Sequence, residues 1–143
     1  MIDARHAGKL RAVLDTNVYF AAFKSLRGVP HELWRRAVRQ EYTLVVSPAI
    51  IRELADVLRN DLDWPEPSIV AQLKFIAHVA TIIHPKCALQ VIAADPDDDR
   101  IIECAVAGKA DLIVSYDRHL TDVKAFQGIG IVRPVDFLRA LGR

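Results

Sequence analysis

Apolar residues recur along the chain in two patterns, which are short continuous runs and repeats at intervals of three and four. Continuous runs of about four to eight residues are typical of strands covered on both faces, and the repeats are typical of amphipathic helices. The runs predict strands at residues 11–15, 42–47, 79–84, 111–117 and 129–133. The repeats predict helices at residues 17–25, 29–40, 48–59, 67–79, 98–107, 119–126 and after residue 134.

The alternation of strands and helices predicts the α/β class. We expect a three-layer α/β/α sandwich around a mainly parallel sheet of about five strands with right-handed crossovers. Ser47 is a typical N-cap ahead of Pro48 at the first helical position, and Gly108 is expected to close the helix over 98–107. The predicted organisation is one domain over 1–143, with 1–10 as a candidate disordered extension.

Composition places the chain among globular proteins. It has 143 residues, 52% of them hydrophobic and 26% charged. Because no apolar run approaches the roughly 18 residues of a membrane span and the N-terminus has no apolar stretch, the expected location is the cytoplasm. Cys87 and Cys104 are expected to be buried thiols, since neither lies in a zinc-binding pattern. The net charge of +1 shows no overall basic excess of the kind common in nucleic-acid-binding proteins.

Four acids are expected at one edge of the sheet. Asp15 and Asp117 end the first and fourth predicted strands, Glu53 follows the second strand, and Asp98 begins the helix that leads to the fourth. Sites in open α/β sheets form beyond the carboxyl ends of the strands. Each acid alone has an ordinary explanation as a cap, a turn residue or a solvated side chain. Four carboxylates together repel one another unless a cation neutralises them, and all-oxygen ligands suit Mg²⁺ or Mn²⁺.

The run of three acids before the fourth strand leaves two candidates for the third site residue. On a helix with about 100° per residue, Asp98 shares the inward face with Ile101 and Ala105, whereas Asp99 is expected to point to solvent. Helical phase therefore favours Asp98 as the site acid, with Asp99 as the second choice.

Four motifs occur in an order and spacing that resemble the PIN-domain nucleases, including the VapC-type toxins of toxin–antitoxin pairs. They are LDTNV (14–18), SPAIIRELADVL (47–58), DPDDDRIIECAVAGKADLIVSYD (95–117) and RPVDFL (133–138). The first resembles the family's opening Asp-x-Asn, the second its helical Glu, and the third its acidic helix start and its strand ending in Ser/Thr-x-Asp.

The resemblance implies a metal-dependent nuclease that hydrolyses single-stranded RNA with Mg²⁺ or Mn²⁺. It also implies a cognate antitoxin as a partner, and a homodimer is a further candidate assembly. The residues that it assigns as catalytic and metal-binding are Asp15, Glu53, Asp98 and Asp117, and those that it assigns as polar helpers are Asn17 and Ser115.

A basic row on the second predicted helix is a candidate contact surface. His31, Arg35 and Arg39 recur at intervals of four, opposite much of the apolar stripe. Such a row can bind RNA phosphates or an acidic segment of a partner, and the alternative is an ordinary solvated face. His84 and His119 follow no motif and are expected on the surface.

The sequence disfavours three other functions. A signalling receiver domain has a similar fold, but it needs an acceptor Asp after the third strand, where this chain has His84 and Pro85. A haloacid-dehalogenase-type phosphatase needs a second Asp two residues after its nucleophile, where this chain has Asn17 after Asp15. A non-catalytic binding module with the same fold is disfavoured by the full acidic set.

Overall fold

The computed structural model describes the backbone of residues 9–86 and 96–142, and the side chains of the same residues except 96–98. Most of the predicted N-terminal extension and Cys87 therefore lie outside the described residues. The strands are β1 (Arg11–Leu14), β2 (Thr43–Val46), β3 (Thr81–Ile82), β4 (Leu112–Val114), β5 (Ala125–Phe126) and β6 (Ile129–Val132). The helices are α1 (Thr16–Lys24), α2 (Val29–Val38), α3 (Pro48–Asn60), α4 (Glu66–Val79), α5 (Pro96–Ala107), α6 (Arg118–Thr121) and α7 (Pro134–Leu141).

The strands form one sheet in the order β3-β2-β1-β4-β6-β5. Every neighbouring pair is parallel except β5 and β6, which are antiparallel. The predicted α/β class and mainly parallel sheet are therefore confirmed, with six strands where about five were expected. In the part of the chain that the structure describes, no helix is long and apolar enough to cross a membrane.

The additional strand is β5, at one end of the sheet. It joins β6 through a two-residue turn in which Gln127 (φ 50°) and Gly128 (φ 82°) both have positive φ. Two successive residues with positive φ are typical of the type I′ turns that connect antiparallel strands. The helix predicted over 119–126 is shorter than expected because the chain turns into this hairpin.

Gly108 follows α5 as predicted, but for a different reason. The left-handed residue at this helix end is Lys109 (φ 53°), not Gly108. A Cβ atom on Gly108 would lie 2.6 Å from Val45 Cγ1 and 2.9 Å from the Cys104 carbonyl oxygen. The position therefore needs glycine because β2 and the end of α5 approach each other closely.

The central strands and the helix starts beside them position the site. Leu14 of β1 pairs with Val114 of β4, and both side chains are buried. The Asp15 amide donates to the Val114 carbonyl oxygen at 2.9 Å. Because the two strands are parallel and end in the same register, the next residues, Asp15 and Ser115, leave the sheet side by side.

Candidate active site

Asp15 is a buried carboxylate in a polar network. Only 6% of the residue is exposed. Ser115 Oγ donates to Asp15 Oδ2 at 2.7 Å, and Asn17 Nδ2 donates to the same oxygen at 3.3 Å. Although Asp15 precedes α1, its side chain makes no capping hydrogen bond to that helix. An ordinary N-cap role therefore does not account for this acid.

Burial raises the pKa of the Asp15 carboxyl group above its ordinary value. The hydrogen bond from Ser115 opposes the rise, and the nearby carboxylate of Asp117 adds to it. In the described part of the chain, no lysine or arginine pairs with Asp15. The charge repulsion expected from the sequence is present, but burial is the larger cause of the raised pKa.

Thr16 connects Asp15 to Glu53, and the sequence motifs did not single it out. Thr16 Oγ1 donates to Glu53 Oε2 at 2.8 Å and lies 3.4 Å from Asp15 Oδ1. A hydroxyl group has one proton, so the shorter contact assigns the donation to Glu53. Thr16 opens α1 and Glu53 lies in the second turn of α3, so this contact joins the two helices at the site. The sequence signal was a hydroxyl residue directly after the strand-ending Asp15.

Asn17 and Ser115 hold the ends of β1 and β4 together. Asn17 Oδ1 accepts from the Tyr116 amide at 3.2 Å, while its amide nitrogen lies 3.4 Å from Ser115 Oγ. Ser115 Oγ in turn accepts from the Asp117 amide at 2.9 Å. Both residues thus help to orient Asp15, and Ser115 also contacts the backbone of Asp117.

Asp117 lies at the same edge and also caps a short helix. Its Oδ1 accepts from the His119 amide at 2.8 Å, and His119 Nδ1 lies 3.3 Å from the same oxygen. The capping role anticipated as the ordinary explanation is therefore real. It coexists with the proximity of Asp117 to Asp15, which appears in the raised pKa of the latter. His119 and His84 are exposed, as expected.

The structure corrects the expected orientation of Asp99. Asp99 is 4% exposed, so the prediction that it points to solvent is wrong. The prediction assumed that α5 buries one face, but α5 packs against β1, β2, β4 and α3. Glu103, one turn later, is also buried and pairs with Arg100 at 2.7 Å. The side chain of Asp98 lies outside the described residues, so its role stays a prediction.

The donor chemistry of this edge suits a hard divalent cation. Carboxylate and hydroxyl oxygens surround Asp15, and the only cysteine that the structure describes, Cys104, is buried in the core. A buried carboxylate without a basic partner favours binding a cation. Among the described side chains, which exclude Asp98, no three His, Cys, Asp or Glu residues are grouped closely enough to hold an ion. The described acids fit the chemistry of a divalent-cation site, but they do not by themselves form a complete set of ligands.

The basic row on α2 is largely neutralised by neighbouring acids. The Glu32 carboxylate lies 3.7 Å from Arg35 and 3.6 Å from Arg39, and Arg39 also pairs with Glu41 at 2.8 Å. His31 Nδ1 lies 3.0 Å from the Ala22 carbonyl oxygen. These contacts favour the solvated-face alternative over a row of free cations, and contact with RNA or a partner stays a prediction.

Comparisons with known proteins agree with this fold. The family model of the PIN domain (PIN_3) matches residues 11–119 of this α/β fold. The chain belongs to the PIN domain family. An uncharacterized protein from Methanocaldococcus jannaschii, MJ1680, is 29% identical over 121 residues, which are 81% of this chain and 76% of that protein.

Two solved structures share the fold. The structure of PAE2754 from Pyrobaculum aerophilum aligns with a TM-score of 0.64 at 14% identity, over 97% of this chain and 95% of that one. The structure of VapBC2 from Rickettsia felis bound to a DNA fragment from its promoter aligns with a TM-score of 0.61 at 13% identity. That alignment covers 87% of this chain and 98% of the other. At these identities the likeness shows the fold alone.

Proposed function

We propose that this protein is a nuclease that hydrolyses single-stranded RNA with the help of Mg²⁺ or Mn²⁺. The observation that carries the proposal is the buried carboxylate of Asp15, which has no basic partner among the described residues, lies near Asp117 and is linked through Thr16 to Glu53. Membership of the PIN domain family, whose members are typically nucleases, supports a phosphodiester hydrolase.

In the proposed mechanism, Asp15 and Asp98 would be the principal ligands of the cation, and Asp117 would bind it directly or through water. A bound divalent cation would lower the pKa of a water molecule and supply hydroxide near neutral pH. Glu53 would orient the attacking water, and Thr16 fixes the Glu53 carboxylate by its 2.8 Å hydrogen bond. Ser115 and Asn17 fix the Asp15 carboxylate from the other side. Attack by water leaves a 5′-phosphate and a 3′-hydroxyl.

The biological role that we propose is that of a toxin in a toxin–antitoxin pair. The structural likeness to VapBC2, together with the sequence motifs, supports a cognate antitoxin as the protein partner and a homodimer as a candidate assembly. A short neighbouring gene that encodes a DNA-binding fold with an amphipathic tail would support this role. Co-expression should then relieve toxicity, and failure to do so would reject that gene as the antitoxin.

The activity is tested with end-labelled RNA incubated with Mg²⁺, Mn²⁺ or EDTA. We expect cleavage only with metal, and products with 5′-phosphate ends. Asp15→Asn should lose nearly all cleavage, because it removes a charge that holds the cation. Asp56→Asn is the matched control, since its side chain on α3 is 69% exposed. Cleavage undiminished by EDTA, or 2′,3′-cyclic phosphate ends, would reject the mechanism.

The third acid is tested by a pair of variants. The expected third acid is Asp98, so Asp98→Asn should lose nearly all activity. The burial of Asp99 removes the reason for excluding it, so a folded Asp99→Asn is the direct comparison. Because Asp99 is buried, its variant must first be shown to fold by circular dichroism and thermal unfolding. A folded, inactive Asp99→Asn beside an active Asp98→Asn would assign the third acid to Asp99.

A further inference from the structure

A pocket lies beside the acids, between α1 and α3. Its volume is about 280 Å³, and Thr16, Asn17, Phe20, Val57 and Asp61 line it. We call it the Phe20 pocket. This volume is at the low end for small-ligand sites, so it has room for one ring system rather than for an extended ligand.

The Phe20 pocket is continuous with the acid site. Thr16 and Asn17 line the pocket, and both also contact the Asp15 carboxylate. Val57 on α3 and Asp61, the C-cap residue directly after it, follow Glu53 at intervals of four, which places all three along one side of the helix. An RNA strand with its scissile phosphate near Asp15 and Glu53 would place an adjoining nucleotide at this pocket.

The wall formed by Phe20 is suited to stacking a nucleobase. Phe20 is partly exposed, and the ammonium group of Lys24 lies 5.2 Å from the centroid of its ring. Unpaired bases of single-stranded RNA commonly stack on aromatic side chains. Lys24 adds a positive charge beside this ring.

Asp61 gives the pocket a hydrogen-bond acceptor. Its side chain is exposed, and within the described part of the chain no hydrogen bond or ion pair occupies its carboxylate. An ionised carboxylate only accepts hydrogen bonds, and it accepts two parallel ones best. The Watson–Crick edge of guanine carries two adjacent donors, N1–H and N2–H₂. Adenine, cytosine and uracil each offer one donor beside acceptors that the carboxylate would repel.

From this arrangement we propose that the Phe20 pocket is a nucleobase subsite that prefers guanine, next to the scissile phosphate. Phe20 supplies the stacking surface and Asp61 the selectivity. The inference rests on the proposed nuclease function, because that function supplies the RNA strand. It assigns a sequence preference to cleavage, with guanine at one fixed position beside the cut.

Direct binding tests the subsite without any cleavage. Nucleoside 5′-monophosphates carry no phosphodiester between nucleotides, so GMP, AMP, CMP and UMP can be titrated into the active protein and followed by amide NMR shifts. We expect GMP to bind tightest, with the largest shifts at Asn17, Phe20, Val57 and Asp61. Phe20→Ala should weaken all four nucleotides, by about 5- to 150-fold for a lost stacking contact. Asp61→Asn should weaken GMP most and reduce its preference.

Matched controls come from exposed residues elsewhere on the helices. Asp56→Asn removes an acid from α3 outside the pocket, and Phe75→Leu removes a 42% exposed ring from α4. Neither should change the order of the four nucleotides. Unchanged spectra away from the pocket will show that the Asp61 and Phe20 variants fold. GMP shifts that fall elsewhere, or an undiminished preference for GMP in Asp61→Asn, would overturn the subsite.

Cleavage mapping separates this inference from the proposed function. Wild type should cut a random RNA pool with guanine enriched at one position, and Asp61→Asn should lose that enrichment while still cutting. If GMP bound in the pocket but no RNA were cleaved with either metal, the subsite proposal would stand and the nuclease proposal would be rejected. Cleavage whose base preference Asp61→Asn leaves unchanged would keep the nuclease and reject the subsite.

Discussion

Replacing Asp15 with asparagine should stabilise the metal-free protein near pH 8. An amide has nearly the shape of the carboxyl group and carries no charge, so it resembles the protonated form that burial favours. The hydrogen-bond network around position 15 can accommodate the asparagine side chain. The Asn oxygen would accept from Ser115 and Asn17, and its NH₂ group would donate to Thr16 Oγ1, which already donates to Glu53.

The sign and size of the effect follow from the raised pKa of Asp15. Between its ordinary value of 3.8 and the raised pKa, the folded protein binds a proton that the unfolded chain has released. The stability due to this group is thus present below 3.8 and lost as pH rises through the raised pKa. Each tenfold increase in proton affinity on folding corresponds to about 1.4 kcal/mol. For a chain of this size, that is roughly 3–6 °C in Tm.

Thermal unfolding of both proteins at pH 4 to 8, in EDTA, measures this difference. The Tm of Asp15→Asn minus that of wild type should increase with pH. Added Mg²⁺ or Mn²⁺ should stabilise wild type, by about 2.7 kcal/mol at a hundredfold excess over Kd, and should act little on the variant. Asp56→Asn should show neither change, because its ion pair with Arg59 is exposed.

A loss of stability in Asp15→Asn that is equal at pH 5 and pH 8 would refute this reasoning. It would show that Ser115 and Asn17 require a charged acceptor for structural reasons. If neither metal raised the Tm of wild type, the cation site itself would lose its main physical support, whatever the behaviour of the variant.

Two further predictions concern the core. Tyr19→Phe should leave the free energy of unfolding unchanged or raise it, because among the described residues the buried Tyr19 hydroxyl has no partner. Tyr42→Phe should lower the free energy of unfolding by about 1 kcal/mol, because it removes the 2.8 Å hydrogen bond to the Leu33 carbonyl oxygen. Urea unfolding of both variants measures this difference, and equal losses would contradict it. Gly108→Ala should lose about 1–3 kcal/mol, because its Cβ would meet Val45 and the Cys104 carbonyl, and an unchanged urea midpoint would show that β2 and α5 separate easily.

The positions of Asp15 and Ser115 were predictable because they follow directly from continuous apolar runs and parallel pairing. Continuous apolar runs identified β1 and β4, and parallel strands that neighbour each other end at one edge. β5 was missed because Ala125–Phe126 is too short to form a recognisable run. The turn Gln127-Gly128 marks the hairpin that contains β5, but only its positive φ values in the structure make the turn evident.

Side-chain contacts within the site were less predictable. The buried position of Asp99 was missed because helical phase identifies one inward face, whereas α5 is covered on several sides. The link from Thr16 to Glu53 depends on how α1 and α3 pack, and no local pattern specifies that packing. The neutralisation of the basic row likewise depends on Glu41, which follows α2 and returns to pair with Arg39.

Asp15 offers a physical argument for function that the other acids do not. Asp117 stabilises α6 by capping it, so its presence has a structural cause independent of any activity. Asp15 makes no side-chain capping hydrogen bond to α1, has a pKa raised chiefly by burial, and lies near a second carboxylate rather than a basic partner. A group that weakens the fold at neutral pH is expected where activity requires it. The proposal therefore requires opposite effects from one substitution, since Asp15→Asn should increase metal-free stability and abolish metal-dependent cleavage. A variant that lost both together would indicate a structural role instead.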